Sequence, residues 1–425
     1  MIEKLKSHLK SSGCDGWEIQ ETASVCWEFY FIRHRLDQHR VVREKNYDVK
    51  LYKSTDGGKY LGCASCRISP TANDEEIEKQ IRDLVFQASL VKNPAYSLVS
   101  KKTDRPGKLD EVDVESICRD YINGILGVNE TEGELINSFE IFAKEIERYT
   151  LNSNGVEYRC RYPSSTIELV INARNGSEEI ELYRLLKSGT CDRKRLTSDI
   201  EKLMGYGRDR LKAIPTPRIK TGDVVFSTSD AAKIYSYFLN KMSAGSVYRK
   251  ISDWKIGEPV CTGEGDKITL KAVSRLENSS MDFEVDEEGS EIFDRFIIRN
   301  GVAENYWGSR QFSQYVGLDR SSIVHNAVFE GGQKDKADVR TGDFLEVVEF
   351  SSFQVDFLSG EIAGEIRLGY LHKDGEVSVV TGGSVSGSMT DAAGTMEFSR
   401  ETVQYDTMVI PEVTKLKALR ISGAE

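Results

Sequence analysis

The chain is poor in histidine: among 425 residues there are five, His8, His34, His39, His325 and His372. None belongs to an H-E-x-x-H element, which sets two zinc ligands one turn apart on a helix with a glutamate as general base. His34 and His39 are five apart, in a stretch from Trp27 to Arg43 that reads as strand, turn, strand. Odd spacing on a strand turns the two rings to opposite faces. His8, His325 and His372 stand alone and read as surface or satisfied core residues. The chain therefore lacks a histidine constellation for a catalytic zinc.

Long apolar runs are also missing. Nothing approaches the ~20 residues of a membrane span. Met1 to Lys10 is charged and amphipathic, without the apolar centre of a signal peptide, so a cytoplasmic protein with no membrane partner is expected. Basic excess is absent too. The net charge is −11, whereas nucleic-acid binding draws on cations that neutralise phosphates. The cluster Arg193-Lys194-Arg195 is brief and flanked by acids, and reads as a solvated turn. No nucleic-acid partner is expected. The eight cysteines are scattered, and Cys63 and Cys66 form a lone C-x-x-C within an apparent strand, Tyr60 to Ile68. A zinc ribbon needs a second pair. These two read as small strand residues. A G-x-S-x-G elbow is missing as well. Its nearest relative, Gly383-Ser384-Val385-Ser386-Gly387, carries valine at the nucleophile position and reads as an edge loop or a closely approached strand.

What is present is globular material, 39 % hydrophobic and 29 % charged, long enough for two or three domains. Asp56-Gly57, Asn154-Gly155, Asn300-Gly301 and Asp374-Gly375 each separate β-rich stretches. Such dipeptides favour the type I′ turn of antiparallel hairpins. Helical spacing marks Ile2, Leu5 and Leu9, and again Val114, Ile117, Tyr121 and Ile125. Asn73 and Glu76 form a capping-box pattern ahead of Ile77, Ile81, Leu84, Val85 and Ala88. Ser198 with Glu201 is expected to cap a further helix containing Ile200, Leu203, Met204 and Leu211. Ile214-Pro215-Thr216-Pro217 cannot continue it. The boundary is placed there, giving domains 1–213 and 214–425. The second domain opens with a helix over Asp230 to Met242, with Ser229 or Asp230 as cap. Strands follow at Ile268–Val273, Phe293–Arg299, Phe344–Phe357, Glu361–Leu371 and Glu376–Thr381. Asp282, Glu284, Asp286, Glu287, Glu288 and Glu291 form an acidic run around Gly289. It reads first as a solvated loop, and second as a seat for a hard divalent cation.

These segments, taken in order, resemble the TldD/PmbA family, whose members bear the name of DNA gyrase modulators. The pieces that carry the resemblance are Val49-Lys50-Leu51-Tyr52 to Gly62-Cys63-Ala64-Ser65, Asn152-Ser153-Asn154-Gly155-Val156, Thr221-Gly222-Asp223, and Lys255-Ile256-Gly257-Glu258-Pro259. Further matches are Phe283 to Gly289, Asn300-Gly301-Val302, Gly342-Asp343-Phe344, Gly382 to Gly387, Pro411 and Ile421-Ser422-Gly423. The resemblance implies a two-domain α+β fold, an N-terminal antiparallel sheet with helices followed by a mostly antiparallel β domain. It also implies one of two kinds of subunit. The TldD kind carries H-E-x-x-x-H on a helix early in the second domain, plus a distant cysteine. The PmbA or TldE kind lacks both and pairs with TldD as a heterodimer that cleaves peptides. Here the equivalent helix, Asp230 to Phe238, has no histidine, and Gln404 to Glu412 has no cysteine. No catalytic, cofactor-binding or metal-binding residue carries over. The implied protein is a metal-free subunit of a cytoplasmic metalloprotease. Its partners would be a TldD-type chain that holds the zinc, or a second copy of itself, and an extended peptide. Two alternatives stay open: an autonomous hydrolase using a divalent cation on the Asp282–Glu291 carboxylates, and a non-enzymatic homodimer that binds a client protein.

Overall fold

The computed structural model describes residues 1–100, 107–320 and 322–424. The first half is built on one sheet of β1 (Gly16–Ile32), β2 (Arg35–Thr55), β3 (Tyr60–Ile68), β4 (Glu134–Asn152), β5 (Glu157–Asn175) and β6 (Glu178–Ser188). The strand order is β3-β2-β1-β4-β5-β6, antiparallel throughout. Along β1 the alternation of a pleated strand decides what is covered. Trp17, Ile19, Trp27, Phe29 and Phe31 join the helix-covered cores, while Glu18 turns to the other side. The helices are α1 (Ile2–Ser11), α2 (Asp74–Leu90), α3 (Val114–Leu126) and α4 (Arg193–Arg210). Leu5, Leu9, Ile77, Ile81 and Leu84 pack on Ile19, Val49 and Leu51. Tyr121, Ile125, Ile200 and Leu203 pack on Phe139, Ile141, Ile167 and Leu169.

The capping box of α2 is present in full, with Glu76 N donating to Asn73 Oδ1 and Asn73 N donating to Glu76 Oε2, each at 2.9 Å. The cap expected for α4 is not the one observed. The helix starts at Arg193, five residues before Ser198, because Asp192 accepts a hydrogen bond from Arg195 N at 3.1 Å. Its carboxylate offsets three cations at a helix N-terminus, where positive charge is otherwise disfavoured. The Arg193–Arg195 cluster is thus a first helical turn rather than a solvated turn.

The second half contains α5 (Ala231–Lys241) and two mixed sheets. One sheet combines β9 (Leu270–Val273), β10 (Arg295–Arg299), β11 (Val302–Ala303), β12 (Asn326–Phe329), β18 (Thr402–Tyr405) and β19 (Met408–Pro411). The other combines β7 (Ile214–Pro215), β8 (Ile219–Phe226), β13 (Phe344–Val355), β14 (Glu361–Lys373), β15 (Glu376–Thr381), β16 (Ser384–Ser388) and β20 (Thr414–Ser422), with β17 (Glu397–Phe398) on β20. Most pairings are antiparallel, while β7–β15, β8–β13 and β12–β19 are parallel. Because β13 pairs with both β8 and β14, the run β13-β8-β20-β16-β14 closes on itself. All four turn dipeptides join antiparallel strands, and Asn300-Gly301 (φ 48° and 76°) and Asp374-Gly375 (φ 53° and 82°) have both residues left-handed. Gly383–Gly387 belongs to the interior strand β16 and its approach, not to an edge, and a Cβ on Gly387 would lie 2.5 Å from Leu419 Cδ2. Helix α5 forms where expected, yet neither Ser229 nor Asp230 caps it with a side-chain hydrogen bond; Asp230 pairs instead with Lys233 at 2.7 Å. Among the described residues no helix is long and apolar enough to cross a membrane.

Candidate functional site

The acidic run is not a solvated loop. It is inserted between the two halves, against the face of the first sheet that carries Glu18. Asp286 is fully buried. Its Oδ1 accepts from Ser290 N at 2.8 Å and Glu288 N at 3.0 Å, and its Oδ2 from Ile323 N at 3.0 Å. Burial, then the neighbouring Glu288, still pushes its carboxyl up to about 7. Phe283, Val285 and Ile292 pack with Tyr158, Cys160 and Tyr162 of β5. Arg148 of β4 lies 3.8 Å over the Phe283 ring and donates to Val285 O. His325 Nε2 stands 3.2 Å from Glu287 Oε2. Asp282 takes two hydrogen bonds from Arg275, at 2.6 and 2.7 Å.

The junction also recruits residues that sequence reasoning did not single out as functional. Lys50 Nζ lies 3.9 Å from Glu18 on the paired strand and 3.8 Å from Glu288 of the inserted loop. Glu288 Oε2 accepts from Arg310 N at 2.6 Å. Burial pushes the Glu18 carboxyl up to about 7, against the pull of Lys50. Glu18 lies between Trp17 and Ile19 on an ordinary alternating strand, and its surroundings are completed by Tyr96 and by Glu288, about 270 residues further along the chain. Among the described residues, no three histidine, cysteine or acidic side chains are grouped to hold a metal. The carboxylates described above answer to guanidinium groups, an ammonium and backbone amides, which is the chemistry of a clasp between halves.

The five histidines go to five places. His8 pairs with Asp74 and His34 with Glu130, both at 3.0 Å. His39 stacks on Phe29 at 4.3 Å and His372 on Phe344 at 4.2 Å. His325 belongs to the junction. Cys63 and Cys66 lie on β3 as free thiols.

A cavity of about 770 Å³ opens elsewhere between the halves. The first half contributes β6 and α4, and the second half contributes Ser227 to Ser229, Arg340, Glu346 and the β18–β19 turn. Arg340 donates to both oxygens of Glu346, at 2.9 and 2.7 Å. Burial alone would raise Glu346, but Arg340 outweighs it and holds the carboxyl below its ordinary range. Lys336 pairs with Glu412 at 3.0 Å, and Arg195 donates to Gln404 O.

Helix α5 starts just beyond Ser229, at the rim of this cavity. This is the helix on which the family resemblance would place zinc ligands. Ile234, Tyr235 and Phe238 are fully buried in the core of the second half, and Tyr235 Oη shares a 2.7 Å hydrogen bond with Thr414. Tyr235 is packed by Phe329 and Phe398. An ion placed here would meet hydrocarbon and a phenol, not imidazole, thiolate or carboxylate. These residues do not fit a zinc ion.

Residues 219–423 match the family model described as the PmbA/TldA metallopeptidase C-terminal domain. No curated protein sequence matches the chain. Among solved structures, TldE from Thermococcus kodakarensis is similar at a TM-score of 0.78 and 18 % identity, over 99 % of this chain and 100 % of that one. A protein from Bacteroides thetaiotaomicron named for a proposed modulation of DNA gyrase gives 0.77 and 17 %, over 99 % and 98 %. A similarly named protein from Thermotoga maritima gives 0.74 and 15 %, over 99 % and 100 %. At these identities the structures speak for a shared fold, and it is the sequence match of the second half, together with that fold over the whole length, that makes this chain a member of the PmbA/TldD family.

Proposed function

We propose that this chain is a metal-free, TldE-like subunit that pairs with a zinc-bearing TldD-type chain in a cytoplasmic peptidase handling extended peptides. One observation carries the reading: within a metallopeptidase-family C-terminal domain, the helix that would hold the metal is filled by buried Ile234, Tyr235 and Phe238. A fold retained without its ligand positions favours a role in completing a partner's active-site chamber. The acidic surface charge gives no reason to look to nucleic acid. The zinc of the complex would reside wholly in the partner.

The test is to mix the purified chain with a zinc-bearing TldD-type protein, then follow complex formation by light scattering and hydrolysis of an unfolded peptide. A complex with raised hydrolysis is expected. Two non-interacting proteins with unchanged hydrolysis would remove the reading, and a stable homodimer that retains a client protein would replace it.

A further inference from the structure

Among the described residues, the first sheet ends in two free edges of opposite character. Beyond the reach of β3, which pairs only with residues 47–55, β2 exposes a bare edge over residues 35–46. That stretch is studded with Arg35, Asp37, Arg40, Arg43, Glu44 and Lys45. Charge of this density is how natural edges discourage pairing. The other edge is β6. It begins with Glu178, Glu179 and Glu181, but its second half carries Tyr183 and Leu185 with 52 % and 44 % of their surface exposed. A free strand edge with exposed apolar side chains is the arrangement proteins ordinarily avoid.

The unprotected half of β6 is the half that borders the cavity. Arg184, Leu185, Leu186, Lys187 and Ser188 all line it. A sheet face would contribute every second residue, whereas five in succession mean that the edge itself looks into the space. Across from it, Tyr206 of α4 and Tyr405 of β18, both half-buried, line the space with aromatic rings. Lys187 has no ion-pair partner among the described residues, unlike Arg184, which is held by Glu349. The facing edge, β18, is already stopped at Gln404, whose carbonyl is taken by Arg195.

We propose that the edge of β6 from Tyr183 to Lys187 is a docking edge for an extended peptide with alternating apolar and acidic side chains, which adds to the first sheet as a further strand. Five residues of strand span roughly 16 Å at about 3.3 Å per residue. The cavity falls within the roughly 300–1,000 Å³ of sites that enclose a ligand. Main-chain hydrogen bonds from β6 supply affinity. Tyr206 and Tyr405 accept the apolar side chains on one face, and Lys187 pairs with a carboxylate.

The assignment rests on the reading that the chain handles peptides, and its test keeps the two apart by using the full chain alone, with no zinc-bearing partner. A fluorescein-labelled peptide of alternating glutamate and valine is titrated and its anisotropy recorded. Saturable binding is expected, lost when alternate backbone amides of the peptide are N-methylated in the register facing β6. Leu185→Pro removes an edge donor and weakens binding roughly tenfold or more. Lys187→Glu turns the preference toward a lysine–valine peptide. Absence of binding by the unmethylated peptide overturns the proposal, as does binding that survives N-methylation in both registers. Circular dichroism checks that Leu185→Pro folds. If it does not, the exposed Lys187→Glu change decides, and an unaltered charge preference then overturns the proposal.

Discussion

Gly289 of the inserted loop lies so close to Val156 that a Cβ on it would stand 2.5 Å from Val156 Cγ1, and its φ of +87° is a conformation that disfavours a side chain. Gly289→Ala therefore incurs both a steric and a backbone cost, together about 2–4 kcal/mol. Chemical denaturation should show the loss. Val156→Ala should recover part of it in a double-mutant cycle. Purely additive effects would mean that the close approach is not the cause.

The same junction makes stability depend on pH. Glu18 is raised from an ordinary 4.5 to about 7, and Asp286 from 3.8 to about 7, both chiefly through burial. The folded protein thus holds these protons more tightly than the unfolded chain. Their contribution is complete below the unfolded values and is lost as pH rises through about 7. The thermal midpoint should fall from about pH 5 to about pH 8, and Glu18→Gln should flatten that slope. A Glu18→Gln profile parallel to that of the parent chain would show that Glu18 is not the titrating group.

Arg148 ties the loop down by stacking on Phe283 and donating to Val285 O, and it lies 3.6 Å from Glu287. Arg148→Met keeps the bulk and removes the charge and the donor, leaving a buried carbonyl and Glu287 less compensated. A loss of about 3–5 kcal/mol is expected for breaking one side of such a buried arrangement. Hydrogen exchange should locate the loosening at residues 281–292. Equal protection of that loop in both proteins would refute the assignment.

Much of the fold was legible because its signals are local. The Asn73–Glu76 box, the left-handed turn pairs and the spacing of Ile77, Ile81 and Leu84 are fixed by a few neighbouring residues. The start of α4 was misplaced because Ser198-x-x-Glu201 resembles a cap, whereas Asp192 acts six residues earlier than expected. The acidic run was misread for a different reason. Six acids in ten residues look solvated by composition, and their place in the junction depends on Arg148, Arg275, Arg310 and His325, which the sequence alone does not bring together. The edge of β6 was equally invisible, since being last in a sheet is a property of topology and not of composition.

The lack of histidine, cysteine and carboxylate side chains along α5 predicts how the chain responds to metal. A zinc site that matters to a fold contributes binding free energy to it, so chelation lowers its stability. Here the buried face of α5 carries Ile234, Tyr235 and Phe238, and Tyr235 is held in the core by Phe329, Phe398 and Thr414. Incubation with zinc followed by desalting should leave well below one equivalent per chain by elemental analysis, and a chelator should leave the thermal midpoint unchanged. Tyr235→Phe should cost only about 1 kcal/mol, the worth of one neutral hydrogen bond, whereas Tyr235→Ala should cost roughly 3–5 kcal/mol by opening a cavity in the core. Retention of stoichiometric zinc, with stability that depends on it, would mean that the chain assembles a metal site from other residues and is not the metal-free subunit proposed above.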